Sequence, residues 1–307
     1  MKDKKCVFII NPTAGSGYAG KYAEKVRDVI NKHNLDAQMV LTEKKGHATE
    51  LAGKFLNDGY QYFLSVGGDG TVNEVAQAIV GKSDVTLGVV SAGTGNDFIQ
   101  ILGFSDLFTD RDWEILLEDN IIEMDVGKCN GNYFLNGMGL GFDAQVAAEN
   151  FKDTSEGKEG SALRYWKHII KTIFLYKEKN MITKTNGETH ETKCFINTVA
   201  NGRRFAGDFF LTPKAVANDG LLDVCMIDEL SIMKRLGILL KVPKGTHIED
   251  PKVNYYQTDK LLIEFDHDVP HHLDGELFFA STYEVGILPK AIKIIYNPHG
   301  NHFFNDK

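Results

Sequence analysis

The sequence predicts an α/β domain with a doubly wound parallel sheet, followed by a domain of antiparallel strands arranged as a β-sandwich. The chain has 307 residues, which exceeds the size of one average domain. Its first third alternates apolar segments with segments of helical spacing, whereas from about Asp125 short strands follow one another between Gly, Asn and Asp residues. We place the first domain at 1–124 and the second at 125–290. Whether the C-terminal segment, 291–307, returns to the first domain is left open.

The first domain is predicted as strands and helices in alternation. The strands are KCVFIIN, DAQMVLT, YFLSVG and VTLGVVSA, and the helices between them are YAEKVRDVINKH, HATELAGKFLNDG and TVNEVAQAIVGK. Strands that are apolar on both faces are typical of a parallel sheet with helices on either side.

One amphipathic helix interrupts the strands of the second domain. In SALRYWKHIIKTIFLYKEK, the spacing predicts an apolar stripe of Leu163, Trp166, Ile170 and Ile173. Core packing is the first interpretation of this stripe. Because basic residues flank it, transient contact with a membrane surface is the alternative.

Composition excludes several classes of protein. The formal net charge of −8 argues against a nucleic-acid partner, which requires a basic surface. No apolar run is long enough to span a bilayer, and the N-terminal run is too short for a signal peptide. The four cysteines are far apart in the sequence, so we expect buried free thiols in a cytoplasmic protein that is at most peripheral to a membrane.

The first glycine cluster, GSGYAGKY at Gly15–Tyr22, follows the first strand and can be interpreted in two ways. As a P-loop it lacks the hydroxyl that should follow the lysine, because Tyr22 occupies that position. As a dinucleotide fingerprint it lacks the acidic residue at the end of the second strand, where Thr42 stands before Glu43. Neither motif is therefore predicted, and a tight turn between strand and helix is an equal alternative to the dinucleotide interpretation.

Two further glycine clusters strengthen the prediction of a ligand site. SVGGDGTVNEV at Ser65–Val75 and SAGTGNDF at Ser91–Phe98 each follow an apolar strand. The carboxyl ends of parallel strands share one edge of an open sheet, where ligands bind. Glycines allow the backbone to approach a ligand closely, and Thr71 is expected to cap the next helix or to donate to a phosphate.

These motifs resemble the diacylglycerol kinase and sphingosine kinase superfamily, most of all its bacterial lipid-kinase branch. The resemblance rests on NPTAGSG, GGDGTVNEV and GTGNDF in this order, and it continues through PKAVANDGLLDV and LDGE over nearly the whole chain. It implies an ATP-binding α/β domain like that of NAD kinases, a β-sandwich, and an ATP-dependent, Mg²⁺-requiring kinase. The implied acceptor is a hydroxyl of diacylglycerol or a related lipid, a sphingoid base included.

The resemblance also implies roles for individual residues. The ATP site would be lined by Asn11, Pro12, Thr13, Ala14, Gly15, Thr42, Gly67, Gly68, Asp69, Gly70, Thr71, Val72, Asn73, Thr94 and Asp97. Mg²⁺ would be held by Asp219, the carbonyl of Leu221, and Val216. Asp274, Glu276 or Asp69 would remove the proton of the acceptor hydroxyl. If Asp274 and Glu276 lie in one strand, their side chains point to the same face.

Each of these motifs also has a structural interpretation. Asp97 is equally expected as a helix N-cap, and both NDG and LDGE are common turn sequences. His271 and His272 should point to opposite faces of a strand, which disfavours a zinc site. The rival functions are an NAD kinase and a non-catalytic protein that binds nucleotide or lipid. The acceptor lipid and the oligomeric state, a homodimer included, are left open.

Overall fold

The computed structural model describes residues 1, 4–155, 162–207 and 209–305. The chain forms two compact units. Unit 1 comprises Met1–Val126, Val216–Gly220 and Leu288–Lys307, and unit 2 comprises Gly127–Ala215 and Leu221–Ile287. The C-terminal segment therefore belongs to unit 1, together with a short internal segment that the sequence pattern does not single out.

Unit 1 consists of alternating strands and helices. Its strands are β1 Cys6–Ile10, β2 Ala37–Leu41, β3 Tyr62–Gly67 and β4 Thr86–Ser91. Its helices are α1 Tyr18–His33, α2 His47–Asn57, α3 Asp69–Ile79 and α4 Asp110–Glu118, with a 3₁₀ helix at Phe98–Leu102. The seven predicted elements are all present, and α4 is an additional helix.

The sheet of unit 1 is parallel. β1 pairs with β2 on one side and with β3 on the other, β3 pairs with β4, and Lys293 and Ile294 of the last strand of the chain pair with β4. The strands β1, β3 and β4 are buried along their whole length. Because the strand order reverses between β1 and β3, the carboxyl ends of these two strands mark the switch point where ligands bind in open α/β sheets.

The C-terminal residues are bound to unit 1 by backbone hydrogen bonds. Asn297 donates its N–H to the carbonyl of Leu102 at 2.8 Å, and Phe303 donates to the carbonyl of Ile101 at 3.0 Å. The internal segment is attached in turn, because the N–H of Ala217 donates to the carbonyl of Phe303 at 2.8 Å.

Unit 2 is built on antiparallel strands. They are β5 Ile121–Cys129, which begins in unit 1, β6 Asn132–Phe134, β7 Gly137–Gly141, β8 Lys179–Thr185, β9 Glu188–Ala200, β10 Leu222–Asp228, β11 Val253–Thr258, β12 Lys260–Leu273 and β13 Glu276–Ile295. The strand order is β11-β10-β9-β7-β12-β13, and β8 pairs with both β9 and β12. One face buries residues such as Met138, Val224 and Tyr283, and the other buries Phe195 and Phe205.

Three helices accompany these strands, where the sequence predicted one. They are α5 Phe142–Ser155, α6 Ala162–Leu175 and α7 Ile232–Leu239. The predicted amphipathic helix is α6, but its buried residues include His168, Ile169, Thr172 and Ile173, whereas Ile170 is exposed. The predicted stripe was therefore wrong at Ile170, and the side chains of Leu163 and Trp166 lie outside the described part of the chain. Within the described ranges, no helix is both long and apolar enough to cross a membrane.

Candidate functional site

The first glycine cluster is connected to the second through Asn11, which follows β1. Its backbone N–H donates to the carbonyl of Val66 at 3.0 Å, and its side-chain Nδ2 donates to Oγ1 of Thr71 at 3.2 Å. Its Oδ1 accepts from both the N–H and the hydroxyl of Thr13. One asparagine thus fixes the conformation of its own loop and joins it to the start of α3.

The second cluster is connected to the third through Asp69, the first residue of α3. One carboxylate oxygen accepts the N–H of Asp97 at 3.1 Å, and the other accepts the N–H of Phe98 at 3.0 Å. Charge-assisted hydrogen bonds of this kind are stronger than neutral ones. Asp69 therefore fixes the loop that follows β4.

The loops are also in direct van der Waals contact, which is possible because they contain glycine. A Cβ atom on Gly68 would lie 3.1 Å from the Cα atom of Gly93. A Cβ atom on Gly15, where φ is +58°, would lie 2.4 Å from the carbonyl oxygen of Ala92. Close approach is thus the main reason for glycine at these positions, and only Gly15 also requires a positive φ.

The fourth loop of this edge, between β2 and α2, depends on Glu74 of α3. The N–H groups of Gly46 and Ala48 donate to its carboxylate at 2.7 and 3.1 Å. Thr42, which begins this loop, is buried and donates its N–H to the carbonyl of Ile10 at 2.8 Å. The residues implied for the ATP site thus belong to loops that are hydrogen-bonded to one another.

The structure corrects three details of the sequence interpretation. Thr71 does not cap α3, because the helix begins at Asp69 and Gly68 occupies the N-cap position. Asp97 makes no side-chain cap to the 3₁₀ helix that follows it. Val72 is a core residue, so only its backbone is available to a nucleotide, whereas Thr94 is exposed.

A second part of unit 1 brings two carboxylates together. Asp125, which is fully buried in β5, accepts the N–H of Gly220 at 2.7 Å and the N–H of Lys290 at 2.7 Å. Burial raises the pKa of Asp125, and the negative charge of Asp219 raises it further. Asp219 itself is exposed and precedes Gly220, which has a φ of +80°, so NDG does form the turn expected from its sequence.

This turn has the chemistry of a hard-cation site. The implied ligands Asp219, Val216 and Leu221 offer oxygen atoms, which Mg²⁺ prefers. A cation would also relieve the repulsion between Asp125 and Asp219 that raises the pKa of Asp125. In the described ranges, no cluster of three or more His, Cys, Asp and Glu side chains could hold a metal. Any ion here would therefore depend on backbone carbonyls and water as well.

In unit 2, Asp274 lies in the two-residue turn between β12 and β13. Its φ is +47° and that of Gly275 is +86°, as in the type I′ turn that Asp-Gly favours. Its carboxylate accepts three consecutive backbone N–H groups, from Leu135, Asn136 and Gly137, at 2.7, 2.9 and 2.9 Å. Asp274 thus holds the loop before β7 in place.

The expectation that Asp274 and Glu276 point to the same face of one strand was wrong. Leu273 pairs directly with Glu276 across the turn, so the two carboxylates belong to a turn and to the following strand. Alternation along a strand therefore does not relate them.

The two adjacent histidines of β12 lie in different surroundings, as alternation in a strand requires. His271 is buried against the rings of Phe278 and Tyr283, and burial lowers its pKa to about 4. His272 faces Asp143 of α5, with 3.6 Å between Nε2 and Oδ2. A Cβ atom on Gly139 would collide with both of these side chains, so glycine in β7 makes room for the pair.

Sequence reasoning missed three carboxylates with structural roles at these sites: Asp125, Glu74 and Asp143. Glu74 is part of the quoted motif GGDGTVNEV, yet nothing in its spacing shows that it accepts the N–H groups at the start of α2. The four cysteines are buried and free, as predicted.

Comparison with known proteins agrees with this geometry. Residues 5–129 match the diacylglycerol kinase catalytic domain, and residues 136–296 match the YegS C-terminal NAD kinase beta sandwich-like domain. A diacylglycerol kinase of Staphylococcus saprophyticus is 26% identical over 278 residues, 89% of each chain. A diacylglycerol kinase of Staphylococcus aureus is 26% identical over 276 residues, 89% of this chain and 86% of the relative.

The fold is also shared with a solved structure from Bacillus anthracis. It has a TM-score of 0.79 at 23% identity and covers 96% of this chain and 98% of that one. The fold and the matched domains define a lipid kinase, an enzyme that transfers a phosphoryl group to a lipid. The chain belongs to the family with a diacylglycerol kinase catalytic domain followed by a YegS-type β-sandwich-like domain, which confirms the resemblance and the fold class drawn from the motifs.

Proposed function

We propose that this lipid kinase transfers the γ-phosphoryl group of ATP to the free hydroxyl of diacylglycerol. The observation that carries the nucleotide part is the hydrogen-bonded set of loops at the carboxyl ends of β1, β3 and β4, in which Asn11 contacts Thr71 and Asp69 contacts the Asp97–Phe98 backbone. The choice of acceptor is supported by the names of two relatives, both diacylglycerol kinases at 26% identity.

Phosphoryl transfer depends mainly on positioning and on neutralising charge. In this proposal, the backbone around Gly67, Gly68 and Gly70 and the N-terminus of α3 bind the phosphates, because free N–H groups at a helix start attract anions. Asn11 to Gly15, Thr42 and Thr94 line the same site, and Asn73 supports it from α3. Asp69 fixes the third loop and puts a carboxylate beside the phosphates, where it can also act on a metal–nucleotide complex.

Asp219 and the carbonyls of Val216 and Leu221 would hold Mg²⁺ in this proposal. The ion supplies charge neutralisation. Asp125 supports the site from below, because its carboxylate fixes the N–H of Gly220, the residue after Asp219.

We assign the acceptor's proton to Glu276 rather than to Asp274. The Asp274 carboxylate accepts three backbone N–H groups, and each of these bonds favours its charged form. A carboxylate in this setting is a fixed negative charge and a weak proton acceptor. Glu276, the first residue of β13, is half-buried and follows the turn that Asp274 holds. Asp69 is the third candidate, and its two backbone donors argue against it in the same way.

The experiment that tests the function is a phosphoryl-transfer assay with labelled ATP and Mg²⁺. Diacylglycerol, sphingosine, ceramide, phosphatidylglycerol and NAD are offered as acceptors in separate reactions. Labelled phosphatidic acid from diacylglycerol is the expected product. Transfer to sphingosine alone would replace the acceptor, transfer to NAD would replace the function by that of an NAD kinase, and transfer to none would favour a non-catalytic protein.

A further inference from the structure

Two neighbouring helices of unit 2 expose apolar side chains to solvent. On α6 these are Ile170, Phe174 and Leu175, and on or directly after α7 they are Ile232, Met233 and Leu240. Met233 and Leu240 are 78% and 79% exposed, so they contribute little to the core. We call this set of six residues the α6–α7 surface. Exposed apolar residues that form a contiguous patch mark interaction sites more often than scattered ones do.

Lysines alternate with these apolar residues. They are Lys167, Lys171 and Lys177 on and after α6, and Lys234, Lys241 and Lys244 on and after α7, all exposed. Glu149 contacts Lys171 at 3.1 Å, and Asp250 contacts both Lys234 and Lys241. Six lysines against these two carboxylates leave a net charge of +4 among these described residues. The chain as a whole carries −8, so the positive charge of the α6–α7 surface is a local property.

The two helices are joined by a buried arginine. Arg235 of α7 contacts the carboxylate of Glu178 at 2.6 Å and donates to the backbone carbonyls of Ile173 and Leu230. Its guanidinium also lies over the ring of Phe195 at 5.0 Å. A buried cation with this many partners fixes one helix against the other. The α6–α7 surface is therefore preformed.

We propose that the α6–α7 surface docks this enzyme on a bilayer that contains anionic lipid. Apolar side chains between lysines fit the boundary between acyl chains and negatively charged headgroups. The inference deepens the proposed function, because it names the surface from which a lipid acceptor is taken. It does not depend on which lipid is phosphorylated.

Charge decides between a bilayer and a second copy of the chain. A two-fold symmetric interface brings the same patch of both subunits together. Two lysine-rich α6–α7 surfaces would then face each other, and like charges across an interface are unfavourable. A negatively charged lipid surface instead complements all six lysines.

The test is co-sedimentation of the full chain with vesicles, without ATP. Wild type should bind vesicles of phosphatidylcholine with phosphatidylglycerol, bind weakly to phosphatidylcholine alone, and dissociate as salt is raised. Met233→Ser with Leu240→Ser should lower binding to both vesicles by about 10-fold. Lys167→Gln with Lys244→Gln should lower binding to the anionic vesicles by about 25-fold, about five-fold for each lysine.

Matched controls are taken from unit 1. Leu107 is 61% exposed and tests a change from apolar to polar away from the surface, and Lys32→Gln with Lys82→Gln tests two lost charges. These controls should bind as wild type does. The proposal is overturned if the surface variants bind normally or if the controls lose as much. It is also overturned if wild type is a dimer in solution that Met233→Ser with Leu240→Ser separates.

Vesicle binding and catalysis can fail separately. A chain that binds anionic vesicles through this surface but phosphorylates no lipid would contradict the proposed function alone. A chain that phosphorylates a short-chain, water-soluble diacylglycerol but binds no vesicle would contradict the docking surface alone. In the favourable case, the surface variants keep full activity on the soluble acceptor and lose it on diacylglycerol in vesicles.

Discussion

A Cβ atom on Gly93 would lie 2.4 Å from the Cα atom of Gly68 and 2.8 Å from Oδ1 of Asn96. Real Cβ atoms do not approach backbone atoms this closely, so the loops after β3 and β4 touch each other only because both residues are glycine. Asn96 adds to this constraint, since its side chain bonds both the N–H and the carbonyl of Gly93. A small displacement of one loop must therefore displace the other.

Gly93→Ala should separate these two loops and weaken ATP binding. A displacement of about 1 Å at a reacting centre costs about 100-fold in rate, and we expect a loss of turnover of that order. Gly68→Ala should act in the same direction but less strongly, because its Cβ would meet Gly93 at 3.1 Å. Isothermal titration with ATP and thermal unfolding check both variants. Gly53→Ala is the matched control, because Gly53 lies in α2 with open space around its Cβ position. Unchanged ATP affinity in Gly93→Ala would remove this loop from the nucleotide site.

Asp69→Asn should weaken nucleotide binding and turnover together. The amide keeps the shape of the carboxylate but loses the charge that strengthens the bonds to Asp97 and Phe98. Each such bond to a charged group contributes about 1.5–3 kcal/mol, so the loss of affinity should be at least 10-fold. Asp106→Asn, an exposed carboxylate in the same region, is the comparison. A variant with normal ATP affinity but no turnover would instead make Asp69 a proton acceptor.

Glu276→Gln should lower kcat by about 10²–10⁴-fold if Glu276 accepts the proton, while ATP affinity stays within a few-fold. Asp274→Asn should act differently. Its amide nitrogen cannot accept the N–H groups of Leu135, Asn136 or Gly137, so we expect a lower unfolding temperature as well as lower turnover. Stable, inactive Asp274→Asn beside active Glu276→Gln would reverse the two roles.

Asp219→Asn should raise the Mg²⁺ concentration required for half-maximal activity and leave ATP binding to the α3 loop unchanged. A readout independent of catalysis is the rise in unfolding temperature on adding Mg²⁺ to wild type, which the variant should lack. Asp223, a buried neighbour that binds the hydroxyl of Tyr255 at 2.6 Å, is a poor control. Asp259→Asn, on an exposed turn, serves better. An identical response to Mg²⁺ in both chains would leave NDG as a turn only.

The stability of unit 2 should fall in acid through His271. Burial lowers the pKa of His271 from 6.5 to about 4, so the folded state resists protonation. Its contribution is complete above pH 6.5 and is lost as the pH falls through 4. The difference corresponds to about 3 kcal/mol. In His271→Phe, the free energy of unfolding measured with urea should fall less between pH 7 and pH 4 than in wild type. His33→Gln, at the end of α1, should keep the wild-type dependence, and an unchanged slope in His271→Phe would contradict the prediction.

The sequence predicted the order of elements in unit 1 because each apolar strand ends in a recognisable glycine loop. Hydrophobic spacing did not separate α5 from the strand GMGLG, since Phe142 continues that apolar run into the first turn of the helix. It also misassigned Ile170, because Ile169 and Ile170 are chemically alike and only the packing of α6 decides which one is buried.

Within the site, the motifs located the loops but not their hydrogen bonds. Nothing local in the sequence shows that Asp69 bonds to residues 28 and 29 positions later, or that Asp274 bonds to a loop 139 positions earlier. Such partners depend on the register of strands that are distant in the chain. Asp125 was missed for the same reason, because its two donors, Gly220 and Lys290, lie 95 and 165 residues away.

The return of the last strand to unit 1 has a consequence during synthesis on the ribosome. β4 pairs with residues 293 and 294, so about 200 residues must follow β4 before its outer edge is covered, which takes about 10–40 s at cellular elongation rates. In that interval TLGVVS is an uncharged, apolar edge strand in a nascent chain, the type of segment that pairs with other chains. Slower translation should lengthen this exposure. The yield of native enzyme in cells should therefore depend on chaperones that bind nascent chains more than on the stability of the finished fold.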